Sequence, residues 1–114
     1  EIADEGELSA LLAAANPDAS AQPGDPAVRR WLGIRESGTL VACAADTTTS
    51  TGIGHLSSIA VHPSSRGHGL GRAITAALTR RLFADGYDLV RHVEGGKTAW
   101  FRLRRDAVAA DGRR

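Results

Sequence analysis

Cysteine occurs once in these 114 residues, and that scarcity excludes an intrachain disulfide. Cys43 lies inside the apolar run Leu40-Val41-Ala42-Cys43-Ala44-Ala45, where a free thiol behaves as a small hydrophobe of the core. A reducing compartment is the simplest setting for it. No apolar run approaches the ~18 residues of a membrane-spanning helix, and no charged-then-apolar segment opens the chain as in a secretory signal. The expectation is a cytoplasmic protein without a membrane partner. Aromatics are also few: the basic tail offers only Trp100 and Phe101 as stacking residues, with no nucleic-acid-binding motif beside them, so no nucleic-acid partner is expected.

What is present suits one domain spanning 1–114, a length at which ordinary chains bury enough surface to fold alone. The first residue, Glu1, suggests a domain cut from something longer or a processed start. Net charge is only +1, but it is uneven: residues 1–62 carry eight acids and three bases, and residues 63–114 five acids and eleven bases. The basic half begins at a glycine-rich stretch, which suits either an anionic ligand or a solvated basic face.

Along the chain, Asp4 is placed to cap a helix over Glu5–Ala15 with Leu8, Leu11, Leu12 and Ala15 on one stripe. Asn16-Pro17 stops it, and Asp18 to Pro26 is too rich in proline for regular structure. Trp31-Leu32-Gly33-Ile34-Arg35 and Thr39 to Ala44, linked by Glu36-Ser37-Gly38, form a hairpin. Asp46 to Gly54 is a loop and His55 to Val61 a third strand, ended by His62-Pro63. A helix from Leu70 places Leu70, Ile74, Ala77, Leu78 and Leu82 on one face, points Arg72, Thr79 and Arg80 elsewhere, and stops at Asp85-Gly86. Tyr87 to Val93 is a strand parallel to the third. After the turn Glu94-Gly95-Gly96 a second amphipathic helix is expected from Lys97 to about Val108, with Trp100, Leu103 and Ala107 as its stripe. Asp111 to Arg114 reads as a frayed tail.

The densest signal is Arg66-Gly67-His68-Gly69-Leu70-Gly71-Arg72. A glycine loop opening a helix aims unpaired backbone N–H groups and the positive end of the helix dipole at one point, which suits phosphate; a glycine-rich turn that binds nothing is the other reading. The nucleotide motifs G-x-x-x-x-G-K-[ST] and G-x-G-x-x-G are both absent.

The order of elements, with Leu56-Ser57-Ser58-Ile59-Ala60-Val61-His62-Pro63 preceding Arg66 to Gly71, resembles the GNAT superfamily of N-acetyltransferases. The family's signature [R/Q]-x-x-G-x-[G/A] is matched by Arg66, Gly69 and Gly71. The resemblance spans about Trp31 to Val90. It implies an α/β (α+β) fold with a mixed sheet, and acetyl-CoA as co-substrate. It further implies that Arg66, Gly67, His68, Gly69, Leu70, Gly71 and Arg72 wrap the pyrophosphate, while the backbone of Ile59, Ala60 and Val61 holds the pantetheine arm as an added strand. The thioester then lies near Ser57 and Ser58. The acceptor is an amine of a small molecule or peptide, and the family also forms homodimers. No metal is implied.

The family often supplies a glutamate as base near the third strand, but no carboxylate lies between Gly52 and Asp85. The candidates are Asp46, Glu36, a histidine or water, with His55 preferred for its pKa near neutrality. His62, His68 and His92 read as surface or loop residues. The family's last helix commonly carries N-x-x-A-x-x-L-Y-x-x-x-G-F; here the register puts Lys97, Leu103 and Arg104 at the asparagine, leucine and tyrosine, and no closing strand is expected. The alternative is therefore a catalytically impaired coenzyme A-binding or partner-pairing domain.

Overall fold

A computed structural model describes residues 4–49, 52–94 and 96–103. Helix α1, Glu5–Ala15, begins where the Asp4 side chain accepts the Glu7 N–H at 3.0 Å, with Glu5 and Glu7 in its first turn. Acids at that end complement the helix dipole. Asn16 closes it by donating its backbone N–H to the Leu12 carbonyl, and Pro17 follows.

Strands β1, Arg30–Glu36, and β2, Thr39–Asp46, form an antiparallel hairpin. Its turn residues Ser37 and Gly38 have φ of 51° and 81°, the left-handed pair that matches strand twist in a two-residue connection. Strand β3, Gly54–Val61, runs antiparallel to β2, and a single 3-10 turn over Pro63–Ser65 leads through the glycine loop into helix α2, Leu70–Ala84. Strand β4, Leu89–Glu94, returns parallel to β3. The sheet order is β1-β2-β3-β4-β5.

The segment from Lys97 is strand β5, Lys97–Arg102, paired antiparallel with β4 from Glu94↔Lys97 to Leu89↔Arg102. This corrects the expected C-terminal helix and the expected lack of a further strand. Trp100 and Leu103 fit helical spacing, but over six residues period cannot separate helix from strand. Thr98, Trp100 and Phe101 favour strands, and β4 would otherwise expose a row of unpaired backbone groups that β5 now satisfies. The rest of the expected helix, including Arg104, and the tail 111–114 lie outside the described residues.

Each face of the sheet carries one helix and its own core. Leu8, Leu11 and Leu12 of α1 pack with Trp31, Cys43 and Ala60, while Ile74, Leu78 and Leu82 of α2 pack with Ala44, Leu56 and Val90. Thr79, expected on the outer side of α2, is buried. Cys43 is buried as expected, and burial pushes its thiol pKa up to about 12. Among the described residues no helix is long and apolar enough to cross a membrane.

Leu78 is fully enclosed in the α2 core. Leu78→Ala is expected to cost about 2–5 kcal/mol of stability, through lost transfer energy and the cavity left behind, read as a lower urea midpoint with an unchanged denaturant slope.

Candidate functional site

Strands β3 and β4 pair at Gly54↔Val90, His55↔Arg91 and Leu56↔His92, and there the pairing ends. Gly54 lets the strands meet at that end: a Cβ there would sit 3.0 Å from Val90 Cγ2 and 3.2 Å from Leu82 Cδ1. Farther along, β3 is displaced by a bulge. Ala45 faces Ser57 and Cys43 faces Ala60, so Ser58 and Ile59 together oppose Ala44, and Ser58 takes φ 54°. One extra residue bends a strand out of its ladder. Ser58 Oγ holds the bend by accepting the Ala21 N–H at 2.8 Å and donating to the Ala21 carbonyl at 3.0 Å.

The strands therefore part, and a cavity of about 1020 Å³ opens on the α1 face, lined by His55, Ile59, Ala60, Val61, Arg66 and Arg91 among others. A groove of about 680 Å³ opens on the α2 face beside Gly71, Arg72 and Thr75. Ile59 borders both.

The glycine loop sits at the end of this split. His62 Nδ1 accepts the Ser64 N–H at 3.2 Å and lies 2.8 Å from Ser64 Oγ, fixing the 3-10 turn. Gly67 and Gly69 have φ of 84° and 78°, a conformation that disfavours any side chain. Gly69 caps α2 without a side-chain bond, so the N–H groups of the first turn lack intrahelical partners. Gly71 differs: its φ is ordinary and a Cβ would meet Val61 Cγ2 at 3.7 Å. The fold does not require glycine there, and its bareness leaves the helix start open to a ligand. His68 and Arg72 are exposed, and Leu70 is half-buried.

Arg66 is engaged within the protein. Its Nε donates to the Val61 carbonyl at 3.1 Å and its Nη2 to the Ala15 carbonyl at 3.0 Å, so the loop is tied to the end of α1. Asn16 adds a bond from Nδ2 to the Ile59 carbonyl at 3.3 Å.

His55 lies at the closed end of the cavity. Its Nδ1 is 2.6 Å from Thr47 Oγ1, which is 3.1 Å from Ser57 Oγ. Burial, followed by the charges of Arg91 and His92, lowers its pKa below the ordinary histidine value, which favours the neutral imidazole. The other candidate bases fall elsewhere. Asp46 is fully buried, 3.1 Å from Arg30 Nε and 3.6 Å from Arg29 Nε, and accepts the Thr48 N–H. Glu36 lies at the hairpin turn and accepts from Ser65 Oγ at 3.4 Å, beside the loop and at the opposite end of β3 from His55. His92, read from sequence as a surface or loop residue, is half-buried within β4 with Nε2 3.7 Å from Glu94 Oε1.

The split thus brings Ile59, Ala60, Val61 and His55 into one cavity, with Gly71 and Arg72 on the connected groove. Sequence reasoning missed Arg91 and Asn16. Arg91 could have been found only with the β3–β4 register known, since it stands beside His55 through strand pairing.

Because the folded pKa of His55 lies below the unfolded value of about 6.5, the unfolded chain binds this proton more readily. The stability it contributes is full above the unfolded pKa and is lost as pH falls through the folded pKa. Proton NMR is expected to place the His55 midpoint below that of an unstructured histidine peptide. His55→Gln is expected to flatten the acid limb of the stability profile.

Among solved structures, a GNAT-family protein from Novosphingobium aromaticivorans matches with a TM-score of 0.65 at 19% identity, over 98% of this chain and 46% of that one. N-acetylglutamate synthase from Neisseria gonorrhoeae, solved with coenzyme A and N-acetyl-glutamate, gives a TM-score of 0.68 at 16% identity, over 98% and 27%. A GNAT family N-acetyltransferase from Escherichia coli, solved with CoA, gives 0.69 at 17%, over 95% and 81%. The chain spans less than half the length of the first two. No curated protein matches the sequence. The profile of the acetyltransferase (GNAT) family matches residues 5–99, and with a split β3–β4 pair ending in a bare helix start already described, this chain belongs to that family.

Proposed function

We propose that this domain transfers the acetyl group of acetyl-CoA to an amine of a small molecule or peptide by direct attack. The observation that carries the reading is the β3 stretch Ile59, Ala60 and Val61, left without a β4 neighbour beside the uncapped start of α2. Coenzyme A contains a pyrophosphate and an amide-bearing arm, and these two features supply donors for the first and a strand edge for the second. Solved relatives that carry coenzyme A support the choice of ligand. Gly67, His68, Gly69, Leu70, Gly71 and Arg72 would receive the pyrophosphate, with Arg66 bracing the loop.

The acetyl carbonyl then lies toward Ser57 and Ser58, where backbone N–H groups beside the bulge can stabilise its developing oxyanion. An attacking amine must be neutral and must shed a proton as the C–N bond forms. His55 takes that proton, directly or through water, because its lowered pKa keeps the ring neutral and Thr47 holds its Nδ1 side. As the C–S bond breaks, the thiolate is protonated by solvent or by the same imidazolium.

A second reading, a coenzyme A-binding domain without turnover, is favoured by one observation. Tyr87, the single tyrosine, has its hydroxyl engaged by Arg29 Nη1 at 3.1 Å and does not line the cavity, so no tyrosine can serve the leaving thiolate.

Calorimetric titration with acetyl-CoA is expected to show binding that Gly71→Glu weakens by about tenfold or more, since a carboxylate at the helix start opposes an anion. Thiol release with an amine panel is expected to fall by about 10²–10⁴-fold in kcat in His55→Ala. Absence of binding in the wild type overturns both readings; binding without turnover selects the second.

A further inference from the structure

Arg91 stands beside His55 as its register partner across the β3–β4 pair, and both line the α1-face cavity. Gly54 faces Leu82 and Val90 on the α2 side, so His55 and Arg91 share the opposite face. Among the described residues Arg91 has no carboxylate partner, and its Nε is buried without a hydrogen bond. It is held instead over an aromatic ring, with its guanidinium carbon 5.8 Å from the centre of Trp100, its partner on β5. Trp100 is 52% exposed. The charged groups around the cavity are Arg66, committed to two carbonyls, and the acids Asp18 and Glu94. The cavity thus sets the His55 imidazole beside a guanidinium that has no carboxylate partner among the described residues.

We propose that Arg91 selects an acceptor amine that carries a carboxylate, so that the substrate class is free amino acids. Adjacent strands lie about 4.8 Å apart, a separation that suits an amine presented to His55 while its own carboxylate meets the guanidinium fork. Such a charge-assisted, two-point contact is strong and geometrically selective. Trp100 braces the guanidinium from the β5 side. This inference rests on the acetyl-transfer reading for its chemistry but not for its binding.

The test is a matched panel of the proteinogenic L-amino acids and their carboxamides, assayed by thiol release from acetyl-CoA and, separately, by calorimetric binding to the full chain without it. The best amino acid is expected to exceed its carboxamide by at least about tenfold in kcat/KM and in affinity. Arg91→Gln is expected to erase that preference, bringing the acid-to-carboxamide ratio to about one, and Arg91→Lys to restore part of it. An oxyanion or purely structural role would depress acid and carboxamide alike. Turnover with equal acid and carboxamide rates overturns the inference and leaves acetyl transfer standing. Preferential binding of the acid without turnover keeps the selectivity and removes the enzymatic reading. No binding and no turnover across the panel overturns the inference, and acetyl transfer falls with it only if acetyl-CoA binding is absent as well.

Discussion

The functional architecture depends on one side chain making two hydrogen bonds: Ser58 Oγ to both backbone groups of Ala21. A serine at φ 54° is a strained arrangement that persists only where its surroundings over-determine it. Here those surroundings are the loop after α1 on one side and Cys43 on the other, whose thiol lies 3.7 Å from the Ser58 carbonyl. The bulge so fixed bends β3 from β4 beyond Leu56, where Asn16 and Arg66 bond the carbonyls of Ile59 and Val61 in place of a strand neighbour. An unpartnered backbone group is costly in a closed core, and these side-chain donors, with a cavity open to water, take the place of the missing ladder.

The opposite end of the same strand pair is closed by a glycine. Gly54 allows Val90 and Leu82 to pack against the β3 backbone, so the strands are joined firmly at three positions and free beyond them. The split is a wedge, and at its narrow end His55 pairs with Arg91 and bonds to Thr47. The proton transfer proposed for His55 needs fixed distances, and a wedge apex supplies them better than a loop would.

Much of this was legible from residues alone. The Asp4 cap and leucine stripe of α1, the Ser37-Gly38 turn, the parallel β3–β4 return and the glycine loop all rest on local chemistry that tertiary contacts reinforced. What could not be read was of three kinds. Register is set across strands, so the neighbourhood of His55 and Arg91, and the bulge at Ser58, have no local signature in a run such as Leu56-Ser57-Ser58-Ile59. The Lys97–Arg102 segment carries a pattern compatible with helix and strand, and the need of β4 for a partner decided between them. Arg66 shows a third limit: its motif position pointed to an anion, whereas its guanidinium is engaged by two carbonyls.

That last arrangement has a mechanical consequence. Through Arg66 the end of α1 at Ala15 and the end of β3 at Val61 are held by the same planar group, and Asn16 repeats the tie to Ile59. The glycine loop and the α1 wall of the cavity therefore move as one body. Changes at Ala15 or Asn16, on the cavity wall, are energetically coupled to changes in the glycine loop, and substitutions in the two places combine non-additively.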